Sequence, residues 1–213
     1  MTIKAIVFDM DGVLIDAAEW HYLALNRALA LFGYNISRHD HLTTFNGLPT
    51  HKKLEILTLD RGLTKGLHAF INEMKQRYTN ELIYARCKPT FQHELALRRL
   101  KADGYKLAVA SNSIRKTVEL MMDLSRLSPL LDLMLSTEDV VTPKPSPAIY
   151  LETQRRLGVR AEECLIVEDA EHGVRAARDS GAYCMVVESV NDVSLDNIML
   201  HIMRAEQEGA KAC

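Results

Sequence analysis

The chain has 213 residues, of which 47% are hydrophobic and 25% are charged, and its formal net charge is -2. This composition is typical of a globular protein with one large domain, or with one domain and an insertion. Because the charges nearly balance and no apolar stretch approaches the ~20 residues of a membrane span, we expect neither a nucleic-acid surface nor a membrane segment. The four cysteines lack metal-ligand spacing and the amino terminus lacks a signal-peptide pattern, which favours a cytoplasmic protein.

The chain begins with an apolar segment, residues 3–8, that is followed by Asp9, Asp11 and Gly12. An apolar run that stops on an aspartate is typical of a buried parallel strand with chemistry at its carboxyl end. Two carboxylates so close repel each other, so we expect a cation between them, and oxygen ligands favour Mg²⁺. The alternative is an ordinary surface turn, which also commonly follows strands.

The next segment, residues 17–84, contains no predicted strand. Three helices are predicted in it, at residues 19–32, 50–61 and 65–82. An all-helical block between two strands is typical of an inserted cap domain. We therefore predict two domains: an α/β core of residues 1–16 and 85–213, and a helical cap of residues 17–84.

Beyond residue 85, apolar segments alternate with amphipathic ones. Further strands are predicted at residues 107–110, 131–135, 165–167 and 184–187. Helices are predicted at residues 92–103, 115–127, 147–157, 171–180 and 193–208. The strands are nearly continuous in Val, Ile, Leu and Ala, which suits a parallel sheet covered on both faces. The predicted fold class is α/β, a doubly wound, Rossmann-like parallel sheet with an inserted all-helical cap.

Polar residues follow four of the predicted strands: Asp9 and Asp11, then Ser111, Asn112 and Ser113, then Lys144, then Glu168 and Asp169. The carboxyl ends of parallel strands meet at one edge of a sheet, and that edge is where open α/β sheets bind ligands. Acidic, hydroxyl and lysine side chains together indicate a site for a metal ion and a phosphate.

Each of these residues has a structural alternative. Ser111 could cap the helix that begins near residue 113. Lys144 could be an ordinary loop lysine, although the prolines on both sides of it restrict its backbone. Glu168 and Asp169 could cap the helix that follows them. The agreement of four motifs, each placed after a strand, favours the functional interpretation.

In chain order the motifs are FDMDG, SNS, KPSP and VED. This order resembles the haloacid dehalogenase-like superfamily of phosphotransferases, over residues 3 to about 190. The helical insertion after the first motif resembles the subgroup of β-phosphoglucomutase and small sugar phosphatases. The resemblance implies that Asp9 is a nucleophile that forms an aspartyl-phosphate, and that Asp11 is the general acid and base.

The resemblance also implies a bound Mg²⁺ ion. Its protein ligands would be the carboxylate of Asp9, the backbone carbonyl of Asp11 and the carboxylate of Asp169, with waters completing an octahedron. Glu168 would be a further ligand, directly or through water.

Residues after the second and third core strands are implied to hold the substrate phosphoryl group. Ser111 would donate its hydroxyl, Asn112 would contact the substrate, and Lys144 would supply positive charge. We expect a cleft lysine of this kind to contribute little to packing. The chain departs from the family pattern at Pro143, where a glycine is usual, and at Ala148, where an aspartate often braces the loop.

The cap is expected to select the substrate through residues on its first helix and on the loop that leads into its second: Glu19, His21, Gly47, Thr50 and Lys52. Alternatively, Lys52 and Lys53 belong to a solvated helix face. In the mutase the matching loop brings an arginine to the non-transferring phosphate, whereas this chain has Thr50 there. That difference favours a phosphatase over a mutase.

The sequence therefore predicts a cytoplasmic, monomeric, Mg²⁺-dependent phosphatase of a small phosphorylated metabolite, such as a sugar phosphate. One alternative is a phosphosugar mutase of the β-phosphoglucomutase type, which uses the same core. Another is a non-catalytic binding protein of the same fold, which the intact set of acidic residues and lysine disfavours. A 2-haloacid dehalogenase is disfavoured because it has no use for the second aspartate or for a metal.

Overall fold

The computed structural model of this protein describes residues 2–45 and 48–211, with side chains through residue 207. The chain forms two compact units. One consists of the segments up to Asp16 and from Lys88 onward, and the other is Ala17–Cys87. The α/β unit thus resumes at Lys88, three residues later than the predicted boundary at residue 85.

The α/β unit contains one parallel sheet with the spatial order β3-β2-β1-β4-β5. Its strands are β1 Ala5–Phe8, β2 Lys106–Ala110, β3 Leu133–Leu135, β4 Cys164–Glu168 and β5 Tyr183–Val186. The parallel sheet of the predicted fold class is confirmed. Strand β3 begins two residues later than predicted because a 3₁₀ turn at Ser128–Leu130 leads into it.

The sheet is covered on both faces. Ala5 and Val7 of β1 pack in one cluster with residues of the helices on their side of the sheet. Ile6 and Phe8 point to the opposite face, since side chains alternate along a strand, and they are also fully buried. Burial on both sides explains why β1 has an unbroken apolar sequence, as parallel strands commonly do.

The helices of the described chain are α1 Ala18–Ala30, α2 Arg38–Asp40, α3 Thr50–Arg61, α4 His68–Arg86, α5 Phe91–Ala102, α6 Arg115–Leu124, α7 Ala148–Leu157, α8 Glu171–Asp179 and α9 Leu195–Lys211. Helix α6 stops earlier than predicted, because the chain turns at Arg126, which has a φ of 60°. Helix α7 begins one residue later than predicted, with Pro147 as its N-cap and the Ser146 hydroxyl accepting a hydrogen bond from the Ala148 amide.

The second unit, Ala17–Cys87, is helical, and its described residues include no strand. Its core is an apolar cluster to which α1, α3 and α4 contribute, with Leu29, Leu57 and Ile71 at its centre. A π-helical turn, His41–Phe45, was not anticipated from the sequence. Among the described residues of the whole chain, no helix has the length and apolar character that crossing a membrane requires.

Candidate active site

The predicted polar residues of the α/β unit converge at the carboxyl edge of the sheet. Asp9 follows β1, the central strand, and its amide donates to the Val167 carbonyl at 2.9 Å. Ser111 follows β2, and its amide donates to the Leu135 carbonyl at 3.1 Å. Because these residues extend the strand hydrogen bonding, their side chains are held at the sheet edge by the strands themselves.

Lys144 lies at the centre of the cluster, and its side chain is only 4% exposed. Its Nζ donates to Asp9 Oδ1 at 2.7 Å and to Glu168 Oε1 at 2.6 Å. A third bond goes to the Ala110 carbonyl at 2.9 Å. An ammonium has three donors, so each of them has an acceptor and the position of Nζ is determined.

The backbone of Lys144 is held as well. Its amide donates to Asn112 Oδ1 at 3.0 Å, and the Asn112 side-chain nitrogen donates to the Lys144 carbonyl at 3.4 Å. The side-chain amide of Asn112 therefore braces the loop that carries Lys144. The family resemblance led us to expect an aspartate in that role, at the position where this chain has Ala148. Its predicted contact with substrate stays a prediction.

Glu168 is 1% exposed and is surrounded by donors. Its Oε1 accepts from Lys144 and, at 2.5 Å, from the hydroxyl of Tyr150, while its Oε2 accepts from the Asp169 amide at 3.1 Å. A Cβ at Gly173 would lie 1.9 Å from Oε1, so the first turn of α8 can pass over this carboxylate only with glycine at that position. These contacts show that Glu168 supports Lys144; its predicted role as a metal ligand stays a prediction.

Two acidic side chains of the cluster, Asp9 and Asp169, have raised pKa values because they are buried near other carboxylates. Burial raises the pKa of Asp9 well above its usual value, Lys144 opposes this rise and Glu168 adds to it. Burial, and then the charge of Glu168, raises the pKa of Asp169 to about 6. Burial alone would lower the pKa of Lys144, but Asp9 and Glu168 hold it above its usual value. The cluster holds three carboxyl groups, those of Asp9, Glu168 and Asp169, and one buried ammonium, so the lysine alone cannot compensate all three when they are ionised.

These residues fit a divalent cation. Oxygen atoms of Asp9, Glu168 and Asp169 lie within 4.8 Å of one another. Within the part of the chain that the structure describes, the buried Oδ1 of Asp169 has no hydrogen-bond partner. A hard cation such as Mg²⁺ takes carboxylate oxygens as ligands and would compensate that atom and the excess charge.

Gly12 allows the acidic strand ends to approach each other. Its φ is +91°, a left-handed conformation that favours glycine, and a Cβ there would lie 2.1 Å from Asp169 Oδ2. The glycine of the first motif is thus required both by the turn and by the carboxylate next to it.

Asp11 and the serines of the second motif are joined by hydrogen bonds through Ser113. The Ser113 hydroxyl donates to Asp11 Oδ2 at 2.9 Å, although the two residues are 102 positions apart. The buried Ser111 hydroxyl accepts from the Ser113 amide at 3.0 Å. The alternative in which Ser111 caps α6 is wrong, because the N-cap of that helix is Ile114.

The helix-capping alternative is also wrong for Glu168, the last residue of β4, and for Asp169, which follows it. The N-cap of α8 is Ala170, without a side-chain capping bond, and the Glu168 side chain contacts Lys144 and Tyr150 instead. Asp169 contributes its buried oxygen to the acidic cluster.

The predicted substrate residues of the second unit have separate environments among the described residues. Glu19 forms an ion pair with Arg38, and His21 Nδ1 lies 3.2 Å from Lys75 Nζ. Thr50 is half-buried at the start of α3. Their predicted contact with substrate stays a prediction, and Gly47 lies outside the described residues.

The two neighbouring lysines of α3 differ in environment. Lys52 is exposed and pairs with Glu55 at 2.9 Å, as expected for a solvated helix face. Lys53 is buried, at 8% exposure. The burial of Lys53 and Lys75 in the helical unit was not foreseen, because helical spacing alone did not indicate which face packs inward.

Three residues of the α/β site were missed from the sequence: Ser113 as a partner of Asp11, Tyr150 and Gly173. Ser113 belongs to the SNS motif, so its position was noted but not its contact. Tyr150 lies within an amphipathic helix and has the pattern of a core residue. Gly173 carried one weak signal, since a glycine early in a helix is unfavourable unless packing requires it.

A parallel α/β sheet with a buried lysine between two carboxylates, and an aspartate at the tip of its central strand, has its charged residues at the edge where open α/β proteins bind ligands. The family model for haloacid dehalogenase-like hydrolases matches residues 6–187. This chain belongs to the haloacid dehalogenase-like hydrolases. The family resemblance, the fold class and the predicted enzyme class are thereby confirmed.

Relatives of known name agree with this class. A phosphoglycolate phosphatase of Aquifex aeolicus is 31% identical over 178 residues, which are 84% of this chain and 81% of the relative. A phosphorylated carbohydrates phosphatase of Thermotoga maritima is 32% identical over 195 residues, 89% of this chain and 88% of the relative. A crystal structure of a CbbY variant from Rhodobacter sphaeroides, in complex with xylulose-(1,5)bisphosphate, matches with a TM-score of 0.79 and 25% identity, over 87% of this chain and 86% of that one.

Proposed function

We propose that this protein is a Mg²⁺-dependent phosphatase that hydrolyses a small phosphorylated metabolite, such as a sugar phosphate, through an aspartyl-phosphate on Asp9. The observation that carries the proposal is the contact between Lys144 Nζ and Asp9 Oδ1, 2.7 Å long, at the tip of the central strand. It orients the carboxylate and supplies positive charge where a phosphoryl group would arrive. A carboxylate is a weak nucleophile, so catalysis depends on such positioning and on charge compensation.

Asp9 and Asp169 would hold the metal ion, together with the backbone carbonyl of Asp11. When bound, the ion would neutralise charge on the phosphoryl oxygens. Burial raises the pKa of Asp9, and Lys144 and the ion would each oppose that rise and so favour the ionised nucleophile. The Asp9 oxygen not held by Lys144 is the one we assign to attack.

Asp11 is assigned as the proton carrier. It would protonate the leaving alkoxide as the phosphoryl group moves to Asp9, and then remove a proton from the water that hydrolyses the phospho-enzyme. The Ser113 hydroxyl, which donates to Asp11 Oδ2 at 2.9 Å, would orient this carboxylate during both steps. Ser111 would donate to the phosphoryl oxygens once its hydroxyl turns toward them.

The substrate class is supported by the names of the relatives, which act on phosphoglycolate and on phosphorylated carbohydrates, and by the bisphosphate in the related crystal structure. Thr50 supports hydrolysis over mutase chemistry. A neutral hydroxyl holds a second phosphate less firmly than the bidentate arginine of a mutase would. We also propose a cytoplasmic setting, because Cys87, Cys164 and Cys184 are free thiols, which a reducing compartment maintains.

The test is a screen of sugar phosphates and phosphoglycolate with Mg²⁺, measuring released phosphate, with Asp9→Asn as the inactive control. A second arm supplies β-glucose 1-phosphate with a trace of glucose 1,6-bisphosphate. We expect phosphate release in the screen and little glucose 6-phosphate in the second arm. Rapid formation of glucose 6-phosphate with little free phosphate would make the mutase the better assignment, and no turnover in either arm would favour a binding protein.

A further inference from the structure

Tyr150, on α7, is a fully buried tyrosine whose hydroxyl reaches the acidic cluster. Its hydroxyl donates to Glu168 Oε1 at 2.5 Å, and its ring centroid lies 4.7 Å from Lys144 Nζ. A buried phenol needs a partner for its hydroxyl, and an ammonium over an aromatic face is attracted by the ring. The one side chain therefore contacts both members of the Lys144–Glu168 ion pair.

Glu168 is the link between Tyr150 and the nucleophile. Its Oε1 receives two donors, the Lys144 ammonium and the Tyr150 hydroxyl, while Oε2 receives the Asp169 amide. Lys144 lies almost equally close to Glu168, at 2.6 Å, and to Asp9, at 2.7 Å. The two carboxylates thus compete for the same ammonium.

We propose that Tyr150 is a positioning residue for catalysis, whose hydroxyl holds Glu168 and so leaves the charge of Lys144 directed at Asp9. This inference rests on the proposed function, since it assigns a purpose to the same lysine. The Tyr150 hydroxyl offsets part of the negative charge on Oε1, as hydrogen bonds to a carboxylate do. Without it, Glu168 would attract the ammonium more strongly and weaken its contact with Asp9.

The phenol is suited to this role because it remains a donor. Burial, followed by the charge of Glu168, raises the pKa of Tyr150 well above its usual value. The hydroxyl therefore stays protonated through the pH range in which the enzyme is expected to work. A phenylalanine would keep the ring beside Lys144 and remove only this donor.

The experiment compares Tyr150→Phe with a matched control, Tyr183→Phe. Tyr183 begins β5 and pairs with Leu165, three residues before Glu168, so its hydroxyl belongs to the other end of the sheet. We expect Tyr150→Phe to lower kcat about 10- to 100-fold, as loss of a supporting contact typically does, with KM changed less than about twofold. The control should retain the kcat of the wild type.

A double-mutant cycle with Glu168→Gln tests whether Tyr150 acts through Glu168. If it does, adding Tyr150→Phe to Glu168→Gln lowers kcat by less than about threefold, so the two effects do not multiply. A multiplicative cycle would overturn the proposal, as would a Tyr150→Phe enzyme indistinguishable from the control. If the single tyrosine variant folds poorly, the comparison of Glu168→Gln with the double variant still tests the proposal, because Glu168→Gln removes the buried charge to which the hydroxyl donates.

A readout without turnover separates this inference from the proposed function. The ¹⁵N ammonium resonance of Lys144, assigned by its loss in Lys144→Met, should shift and exchange faster with water in Tyr150→Phe but not in Tyr183→Phe. If the wild type hydrolyses no phosphomonoester, the proposed function fails, and this resonance still decides whether Tyr150 positions Lys144. An unchanged resonance would overturn the inference.

Discussion

The replacement of Lys144 by methionine tests both the chemistry and the electrostatics of the site. It keeps a long, unbranched side chain but removes the ammonium and its bonds to Asp9, Glu168 and the Ala110 carbonyl. The sequence suggested a cleft lysine with little effect on stability. The structure changes that expectation, because the side chain is 4% exposed and its carboxylate partners are also buried.

Two separate magnitudes follow. Removing one well-placed electrostatic donor typically costs about 3–4 kcal/mol of transition-state stabilisation, a drop of about 10²- to 10³-fold in kcat. Removing one partner of a buried ion pair leaves an uncompensated charge and costs about 3–5 kcal/mol of unfolding free energy. Both losses should be visible in the same variant at neutral pH.

The stability loss should depend on pH. The pKa of Asp9 is already raised by burial, and Lys144 is the group that opposes this rise, so the variant raises it further. The folded variant then binds a proton that the unfolded chain releases above a pH of about 4. Its unfolding free energy therefore falls as pH rises from that point through the pKa of folded Asp9, and the deficit relative to wild type should be smaller at pH 5 than at pH 8.

The assay is urea denaturation at pH 5 and pH 8, with kcat measured in parallel. Lys116→Met, an exposed lysine on α6, is the control and should match the wild type in both. Lys144→Met leaves two buried carboxylates, Asp9 and Glu168, without their cation. Adding Glu168→Gln removes one of these two charges, so stability should recover in part while activity does not. A Lys144→Met enzyme with near-normal kcat, or with unchanged stability at pH 8, would refute this reasoning.

Three further predictions concern the metal, the helix over Glu168 and the helical unit. Mg²⁺ should raise the melting temperature of the wild type near pH 7 but not that of Asp169→Asn, because we propose Asp169, whose buried Oδ1 has no hydrogen-bond partner among the described residues, as a metal ligand. Full activity in EDTA would remove the metal from the mechanism. Gly173→Ala should lower both kcat and stability, since its Cβ would lie 1.9 Å from Glu168. The control Gly66→Ala, with no neighbour closer than 3.9 Å, should lower neither, and equal effects of the two variants would contradict the packing argument. Burial, and then Lys53, lowers the pKa of His41 to about 4, so wild-type stability should fall by up to about 3 kcal/mol as pH drops from about 6.5 to 4. His41→Phe keeps a ring beside Tyr22 and should show a weaker dependence; an unchanged dependence in urea denaturation would assign the titration to another group.

Local sequence was sufficient to predict the framework of the α/β unit. Strand β1 is apolar throughout because both of its faces are buried, and this apolar pattern predicts a buried strand without any tertiary information. The residues at the ends of β1, β2, β3 and β4 could be assigned to one edge because parallel strands all end on the same side of a sheet. That Asp9, Ser111, Lys144 and Asp169 lie at one end of the sheet could therefore be predicted without knowing their contacts.

The tertiary structure decided how these residues support one another. Lys144 and Asp9 are 135 positions apart, and Ser113 and Asp11 are 102 apart, so no periodicity in the sequence could pair them. Tyr150 has the local pattern of a core residue, and only the packing of α7 against the sheet places its hydroxyl on Glu168.

Tertiary packing also explains why Lys52 is exposed while Lys53 is buried. Adjacent residues on a helix point in different directions, and which one is buried depends on what the helix packs against. Sequence periodicity determines which elements form and which strand ends share an edge. The packing of distant segments determines which side chains touch, because those contacts depend on distances that no local pattern encodes.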